Sequence, residues 1–151
     1  MIAYQLSVFA ENKPGRLAAI TGILAKEKIN IRATTIATSD TFGVINLIVD
    51  DPKRALAILS KAEMTVSLRE VLAVLIQDKP GGLDTLMQLL FKEKININNA
   101  YGFVLESRAK AVFIVDVDQI EKAQEIIEKA GFKTLDADTL AEVEPFHYLK
   151  Y

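Results

Sequence analysis

The chain of 151 residues is half apolar and a quarter charged, which is the composition of an ordinary globular protein. Its formal net charge of -2 provides no basic field for phosphate backbones or anionic lipids, and the absence of cysteine excludes disulfides, zinc–thiolate sites and thiol nucleophiles. No apolar run approaches the about 20 residues of a membrane-spanning helix and the first residues lack the basic start of a signal peptide, so we predict a soluble, cytoplasmic protein without nucleic-acid or membrane partners.

The first half of the chain predicts six elements. Residues 4–10 alternate between apolar and polar up to an Asn-Lys-Pro-Gly turn, which indicates a strand. Pro14 suits a first helical turn, where its missing N–H leaves no hydrogen bond unmade, and Leu17, Ile20 and Leu24 follow at helical spacing. The predicted elements are strand 4–10, helix 15–28, strand 31–38, a turn at 39–43, strand 44–49, a helix from residue 52 and strand 65–68.

The second half repeats the first. Asn-Lys-Pro-Gly-Arg-Leu at 12–17 recurs as Asp-Lys-Pro-Gly-Gly-Leu at 78–83, and the Leu-Ala-Lys-Glu-Lys-Ile-Asn-Ile segment at 24–31 recurs in the same register at 90–97. Such agreement indicates duplicated units, 1–69 and 70–138, followed by a tail at 139–151. The elements predicted for the second unit are strand 71–76, helix 83–94, strand 97–104, strand 111–117, helix 120–130 and strand 132–135. The tail residues Phe146, Tyr148, Leu149 and Tyr151 are predicted to pack on a sheet face.

Each unit has the order βαββαβ of the ferredoxin-like fold. Right-handed crossovers put both helices on one face of an antiparallel sheet with strand order 4-1-3-2, so we predict an α+β protein of two tandem modules. Unpaired edges invite pairing, and strands 31–38 and 97–104 are expected to join the modules into one sheet. Strands 71–76 and 111–115 are apolar on both faces, which indicates an open sheet face that is covered by the other unit, by the tail or by a second chain. A homodimer is the simplest of these arrangements.

The loop before the first helix of each unit is the candidate binding site. Gly15 and Gly81 are predicted in the first helical turn, where free N–H groups and the helix dipole favour an anion such as a carboxylate. Without a Cβ, glycine also lets a ligand approach the backbone. Asn30 and Asn96, at the start of the second strand, are expected at the same end of the sheet as this loop. Amide donors and carbonyl acceptors beside a helix start suit a zwitterion.

These features also have purely structural interpretations. The Pro-Gly pair can simply set where the helix begins, and Asn30 and Asn96 can end helices, because asparagine tolerates a left-handed conformation. His147, the single histidine, is expected on the surface. No carboxylate pair, nucleophile–base pair or phosphate-cradling glycine loop is visible, so we predict neither an enzyme nor a cofactor or metal site.

The loop motif, helix and Ile-Asn-Ile strand, given twice in a βαββαβ frame, resemble the ACT domain family over about residues 1–138. The resemblance implies a non-catalytic regulator whose modules bind a free amino acid between them, against a first loop and an edge strand, and act on a partner enzyme. Asp78 departs from the family's common asparagine, so the two sites are not expected to be equivalent. Carried over by position, the implied ligand-binding residues are Asn12, Pro14, Gly15, Leu17, Asn30, Ile31 and Arg32, and Asp78, Pro80, Gly81, Leu83, Asn96, Ile97 and Asn98.

Two alternative functions remain at this stage. Glu-Asn-Lys-Pro-Gly at 11–15 also resembles the start of the acetolactate synthase regulatory subunit, which favours an oligomerisation or adaptor module that needs no ligand. The ferredoxin-like topology also serves in RNA-recognition modules, which stack bases on aromatic side chains of two central strands. Phe9 and Phe113 lie on the corresponding strands here, but without basic neighbours.

Overall fold

A computed structural model describes residues 1–142 of the chain. The predicted packing of the tail aromatic residues and the predicted exposure of His147 therefore lie outside the described residues. The strands and helices are β1 (Ala3–Glu11), α1 (Arg16–Lys26), β2 (Ile31–Ser39), β3 (Phe42–Val49), α2 (Pro52–Lys61), β4 (Thr65–Gln77), α3 (Gly82–Lys92), β5 (Ile97–Glu106), β6 (Lys110–Val117), α4 (Ile120–Lys129), β7 (Lys133–Leu135) and α5 (Ala137–Glu142).

The chain divides into two compact units, one formed by Tyr4–Glu70 and the other by Met1–Ala3 together with the chain from Val71 onward. The boundary falls inside β4, which is one uninterrupted strand of 13 residues. The sequence had indicated two strands separated by Leu68-Arg69-Glu70. That segment contains no glycine or proline to end a strand, and the backbone continues in extended conformation through it.

The first unit is a ferredoxin-like module with its core between sheet and helices. β1 and β2 both pair antiparallel with β3, so that Leu6 lies opposite Leu47 and Ile36 opposite Ile45. Alternate residues of these strands point to α1 and α2, where Leu24 and Leu59 are fully buried. The 3.6-residue spacing of the apolar side chains therefore places both helices on the same core.

The second unit repeats this arrangement. β4 and β5 pair antiparallel with β6, and the short strand β7 pairs with β4. Leu72 and Val74 of β4 pack with Leu86 of α3 and Ile127 of α4 in a second buried cluster. The predicted α+β class and the strand order 4-1-3-2 are confirmed in both modules.

The hydrogen-bonded strand order is β2-β3-β1-β4-β6-β5, with β7 paired to β4 off this path. The prediction of one extended antiparallel sheet is thus confirmed, but the predicted junction is wrong. β2 and β5 are the two ends of the strand order, and β4 is the strand common to both modules. No helix among the described residues is long and apolar enough to cross a membrane.

The second face of the sheet is buried where the sequence is apolar on both sides. Val71 and Ala73 of β4 and Val112 and Ile114 of β6 point away from the helix-side cluster, yet each has an exposed fraction of 0% in the single chain. The chain itself therefore provides the cover that these residues had predicted. Their burial needs no second chain.

Candidate functional site

In the first module the loop before α1 is tied to the β2–β3 turn. The backbone N–H of Asn12 donates to the carbonyl of Thr41 at 2.8 Å, and its side-chain Nδ2 donates to the carbonyl of Asp40 at 3.1 Å. Gly15 follows as the residue that caps α1, with a φ of 90° and a ψ of -9°. This left-handed conformation favours glycine, because a Cβ would be strained there.

The second module builds the same loop with the same backbone hydrogen bond and a side-chain hydrogen bond of opposite direction. Asp78 donates its backbone N–H to the carbonyl of Ala109 at 3.0 Å, while its Oδ2 accepts the backbone N–H of Arg108 at 2.8 Å. Gly81 then caps α3 with a φ of 86°. Residues 12 and 78 therefore each hold the loop against a hairpin turn, and sequence reasoning had given them only a ligand-binding role.

Both capping glycines face open space. A Cβ built on Gly15 or Gly81 would have no non-local heavy atom within 4 Å, so the left-handed backbone, and not crowding, explains the residue type. Each glycine lies just before the helix instead of inside its first turn as predicted. Neither helix start has a side-chain cap. The first helical N–H groups donate to backbone carbonyls, that of Arg16 to Lys13 at 3.5 Å and that of Gly82 to Lys79 at 2.9 Å, so the uncapped N–H groups are the ones that follow in the first turn, at the positive end of the helix dipole.

The prediction that Asn30 and Asn96 lie at the same end of the sheet as the loops is wrong. Ile31 pairs with Val49 at one end of β3, whereas Glu11 pairs with Phe42 at the other end. The eight residues of β3 separate these ends by roughly 23 Å at the usual rise of a strand. The second module has the same register, because Gln77 pairs with Lys110 and Ile97 with Val117.

The alternative interpretation of the two asparagines, as left-handed helix ends, is also wrong. Lys28 and Lys94 take that conformation, with φ values of 58° and 57°. Asn30 instead exchanges two hydrogen bonds with Asp50, since its N–H donates to Oδ1 and its carbonyl accepts the N–H of Asp50, both at 3.1 Å.

In the second module the corresponding asparagine belongs to an exposed polar cluster. Asn96 Nδ2 donates to Asn98 Oδ1 at 3.1 Å, and Asn98 Nδ2 donates to Asp118 Oδ1 at 2.6 Å. Asn30 and the Asn96–Asn98 pair thus connect the start of the second strand to the segment that follows the third strand. Their contacts within the chain are structural, whatever else they bind.

The other predicted site residues divide between the two ends of each module. Pro14 and Pro80 are exposed in the loops, and Leu83 is 39% exposed beside the second loop. The remaining ones are partly buried: Leu17 and Ile31 pack on the first core, Ile97 packs on the second, and Arg32 lies on β2. Within each module the seven predicted residues therefore form two separate groups, one at each end of the sheet, and their role in binding stays a prediction.

Sequence reasoning missed a pair of equivalent pockets. In each module a pocket opens between the end of the first strand, the start of the first helix and the turn before the last strand, with volumes of about 300 Å³ in the first module and about 440 Å³ in the second. Arg16 lines the smaller pocket, and Gly82 takes its place in the larger one. These positions of the two repeats were not compared in the sequence.

The aromatic residues that had suggested RNA binding do not share a surface. Phe9 is 54% exposed, but Phe113 packs against the helix-side core of the second module. Base stacking on a sheet needs aromatic side chains on the open face, so Phe113 does not supply such a platform. No group of three or more His, Asp or Glu side chains within residues 1–142 could hold a metal ion.

A duplicated ferredoxin-like module with a glycine-capped helix start in each copy defines the class of the protein, an α+β protein of two tandem modules. The family model of the ACT domain pair matches residues 1–144, and the chain belongs to this family. The predicted resemblance is thereby confirmed.

Solved structures agree with this assignment. Protein BT0572 from Bacteroides thetaiotaomicron is 32% identical and superposes with a TM-score of 0.88 over 94% of this chain and 97% of that one. The ligand-free regulatory subunit of aspartate kinase from Thermus thermophilus is 17% identical, with a TM-score of 0.61 over 87% and 97%. The corresponding subunit from Thermus flavus is also 17% identical, with a TM-score of 0.56 over 85% and 95%. At this identity the two subunits share the fold. The comparison with curated proteins gave no match.

Proposed function

We propose that this ACT domain pair is a non-catalytic regulatory protein that binds a free amino acid at its glycine-capped loops and acts on a partner enzyme. The proposed modules are 1–69 and 70–138, with a tail at 139–151, and the proposed assembly is a homodimer. The likeness to two aspartate kinase regulatory subunits supports a regulatory role, because those chains share the duplicated fold and carry the regulatory part of an enzyme.

The observation that carries the proposal is the pair of open helix starts. A Cβ at Gly15 or Gly81 would meet no atom within 4 Å and no side chain caps either helix, so a ligand carboxylate has room to approach the N–H groups of the first turn that follow the backbone-bonded first one. In the second module Asp78 Oδ1 accepts no hydrogen bond from residues 1–142, since only Oδ2 is used by Arg108. That oxygen is a suitable partner for a ligand ammonium group.

The strand register shapes the rest of the proposal. Asn30 and Asn96 lie at the far end of their own modules, so no loop can share a ligand with the asparagine of its own module. A ligand that uses both kinds of residue must lie between modules. We propose that a module of a second chain completes the site.

The experiment is a thermal-denaturation series with each of the common amino acids at millimolar concentration. A ligand present at 100 times its dissociation constant should stabilise the native state by about 2.7 kcal/mol, which moves the melting temperature by several degrees. We expect one amino acid, or a small group of chemically related ones, to produce such a shift. A panel without any shift contradicts the proposal.

Matched variants then locate the site. Gly15→Asp and Gly81→Asp put a carboxylate where the ligand carboxylate would bind, so at least one of them should abolish the response. Gly22→Asp is the control, because Gly22 is exposed on α1 and a Cβ there also meets open space, but it lies outside both loops. If both loop variants keep the response as this control does, the amino acid binds elsewhere and the assignment of the site to the loops is wrong.

A further inference from the structure

The pocket of the second module has an apolar floor and a wide mouth. Its volume of about 440 Å³ can hold a small metabolite. Leu75 and Ile76, near the end of β4, and Phe132, after α4, line it from two sides. All three are partly buried, so part of their apolar surface remains available to a ligand.

Cations surround this floor. Lys79, Lys110 and Lys133 line the pocket from the loop before α3, the start of β6 and the start of β7, and no carboxylate lines it. None of these three ammonium groups forms an ion pair with a carboxylate of residues 1–142. The neighbouring acid, Asp78, is bonded to the backbone of Arg108. The pocket therefore combines an apolar floor with three unpaired positive charges.

The equivalent pocket of the first module lacks this character. It is smaller, at about 300 Å³, and Glu11, Arg16 and Glu63 line it. Its cation is already paired, because Arg16 lies 3.7 Å from Glu11. In the second module Gly82 occupies the position of Arg16, and a Cβ there would come within 2.1 Å of the Gln77 carbonyl oxygen. Because α3 approaches β4 so closely, residue 82 cannot carry a side chain, and the volume that Arg16 restricts in the first module stays open in the second.

The lining of the two pockets differs in charge as well as in volume. Lys110 and Lys133 stand where the first module has Phe42 and Thr65, which line the smaller pocket. Two of the differences between the repeats thus add positive charge, and the third, from Arg16 to Gly82, opens space and removes one charge. A surface that only needed solubility would not concentrate unpaired cations around an apolar floor, because like charges repel one another.

We propose that this pocket is a second ligand site, which binds a small metabolite carrying an anionic group, a carboxylate or a phosphate, on an apolar body. The lysines would hold the anion and the floor would bury the body. The proposal goes beyond amino-acid sensing, because Lys110 and Lys133 lie outside the glycine-capped loops and an overall neutral zwitterion has no need of three cations.

The test uses 8-anilinonaphthalene-1-sulfonate, which carries an anionic sulfonate on an apolar aromatic body and fluoresces when bound. We expect saturable binding of one probe per chain that weakens with added salt, as screening of the lysines requires. Phenyl phosphate should compete with the probe more strongly than inorganic phosphate or phenol does, since only the first combines both groups. Competition by phenol equal to that by phenyl phosphate would show a purely apolar site and overturn the proposal.

Charge-matched variants complete the test. Replacing Lys79, Lys110 and Lys133 together by glutamine should weaken probe binding by about tenfold, the summed effect of three partly exposed charge contacts. The control replaces Lys26, Lys53 and Lys61, which are exposed elsewhere, and changes the net charge equally. Equal affinities in the two triple variants would overturn the proposal.

A further variant separates this proposal from the preceding one. Lys110→Gln combined with Lys133→Gln leaves both glycine-capped loops unchanged, so it should keep the amino-acid response of the melting temperature while binding the probe more weakly. A wild-type chain that binds the probe as described but responds to no amino acid would fail only the sensing proposal. If the control triple variant loses the probe while the pocket triple variant binds it as tightly as wild type, only the proposal of a second site is contradicted.

Discussion

Residues 12 and 78 occupy the same position of the repeat and both hold the loop against a hairpin turn, but their side-chain hydrogen bonds run in opposite directions. Asn12 donates a side-chain N–H to Asp40, and Asp78 accepts a backbone N–H from Arg108. Both hairpin-turn partners have positive φ values, 40° and 64°, although neither is glycine. Such turns need outside support, since non-glycine residues rarely adopt this conformation. The aspartate that departs from the family's usual asparagine therefore has a structural reason.

Asp78→Ala should lower the free energy of unfolding by about 1 kcal/mol, the usual contribution of one hydrogen bond. Asp78→Asn should lose less, because the amide carbonyl can accept the same N–H. Urea denaturation of the purified variants measures both. Glu70→Ala is the control, since this exposed side chain of β4 forms no ion pair with the described residues. Equal stability of Asp78→Ala and Glu70→Ala would show that the loop needs no such support.

The sequence located the two helix starts but not the asparagines. Proline followed by glycine marks a helix start locally, so Gly15 and Gly81 could be identified from four residues. The position of Asn30 depends instead on following the chain back along α1, which returns it to the far end of the sheet. The lysines of the second pocket come from three elements far apart in sequence. No local pattern could have grouped Lys79, Lys110 and Lys133.

The second helix of each module differs in its cap. α2 begins after Asp51, whose Oδ1 accepts the backbone N–H of Arg54 at 3.2 Å. α4 begins after Gln119, which makes no side-chain cap hydrogen bond. Aspartate is among the best capping residues, because its short side chain reaches the free N–H groups of the first turn. The duplication therefore contains a capped and an uncapped copy of the same helix.

Exchanging the caps should move stability in opposite directions. Asp51→Ala removes the cap of α2 and should cost about 1 kcal/mol, whereas Gln119→Asp supplies one to α4 and should stabilise by a similar or smaller amount. Chemical denaturation followed by circular dichroism measures both changes. Gln119→Ala serves as the control and should be close to neutral. A destabilising Gln119→Asp would mean that the geometry before α4 does not permit a cap.

Elements with a clear period were predictable, and their boundaries were less so. The order βαββαβ followed from apolar spacing alone, but β4 was divided in two because the repeat suggested a boundary at residues 69 and 70. The turn between β2 and β3 is also shorter than predicted. Residues 39–43 were predicted, and only Asp40 and Thr41 lie between the two strands. Cross-strand pairs such as Ser39 with Phe42 extend both strands, which single-residue turn preferences cannot show.

At the scale of the whole molecule, the strands that are apolar on both sheet faces do not indicate a dimer. They indicated correctly that a cover exists, yet they are buried within a single chain. The pattern of apolar residues along a strand indicates that a sheet face is buried, but it does not identify what covers that face. The homodimer of the proposed function therefore rests on the separation of the loops from the asparagines.

The first residue of the chain is held by the second unit, and this contact predicts a pH dependence. The Met1 ammonium group lies 3.0 Å from both Glu128 Oε1 and Thr134 Oγ1. Hydrogen bonds from the Thr134 hydroxyl, the Met1 ammonium group and Gln124 lower the pKa of Glu128 from its ordinary 4.5 to about 2. In the unfolded chain these partners are absent, so the carboxyl group returns to its ordinary value.

A carboxyl group with a lowered pKa in the native state stabilises that state above its unfolded pKa and loses this contribution as the pH falls towards its native value. Wild type should therefore exceed Glu128→Gln in stability by a constant margin above about pH 5, and the margin should shrink between pH 4.5 and about 2. Urea midpoints measured across this range give the margin directly. Glu121→Gln, on the same helix and exposed, is the control. A margin that stays constant down to pH 2 would mean that the hydrogen bonds of Glu128 with Thr134, Met1 and Gln124 do not form in solution.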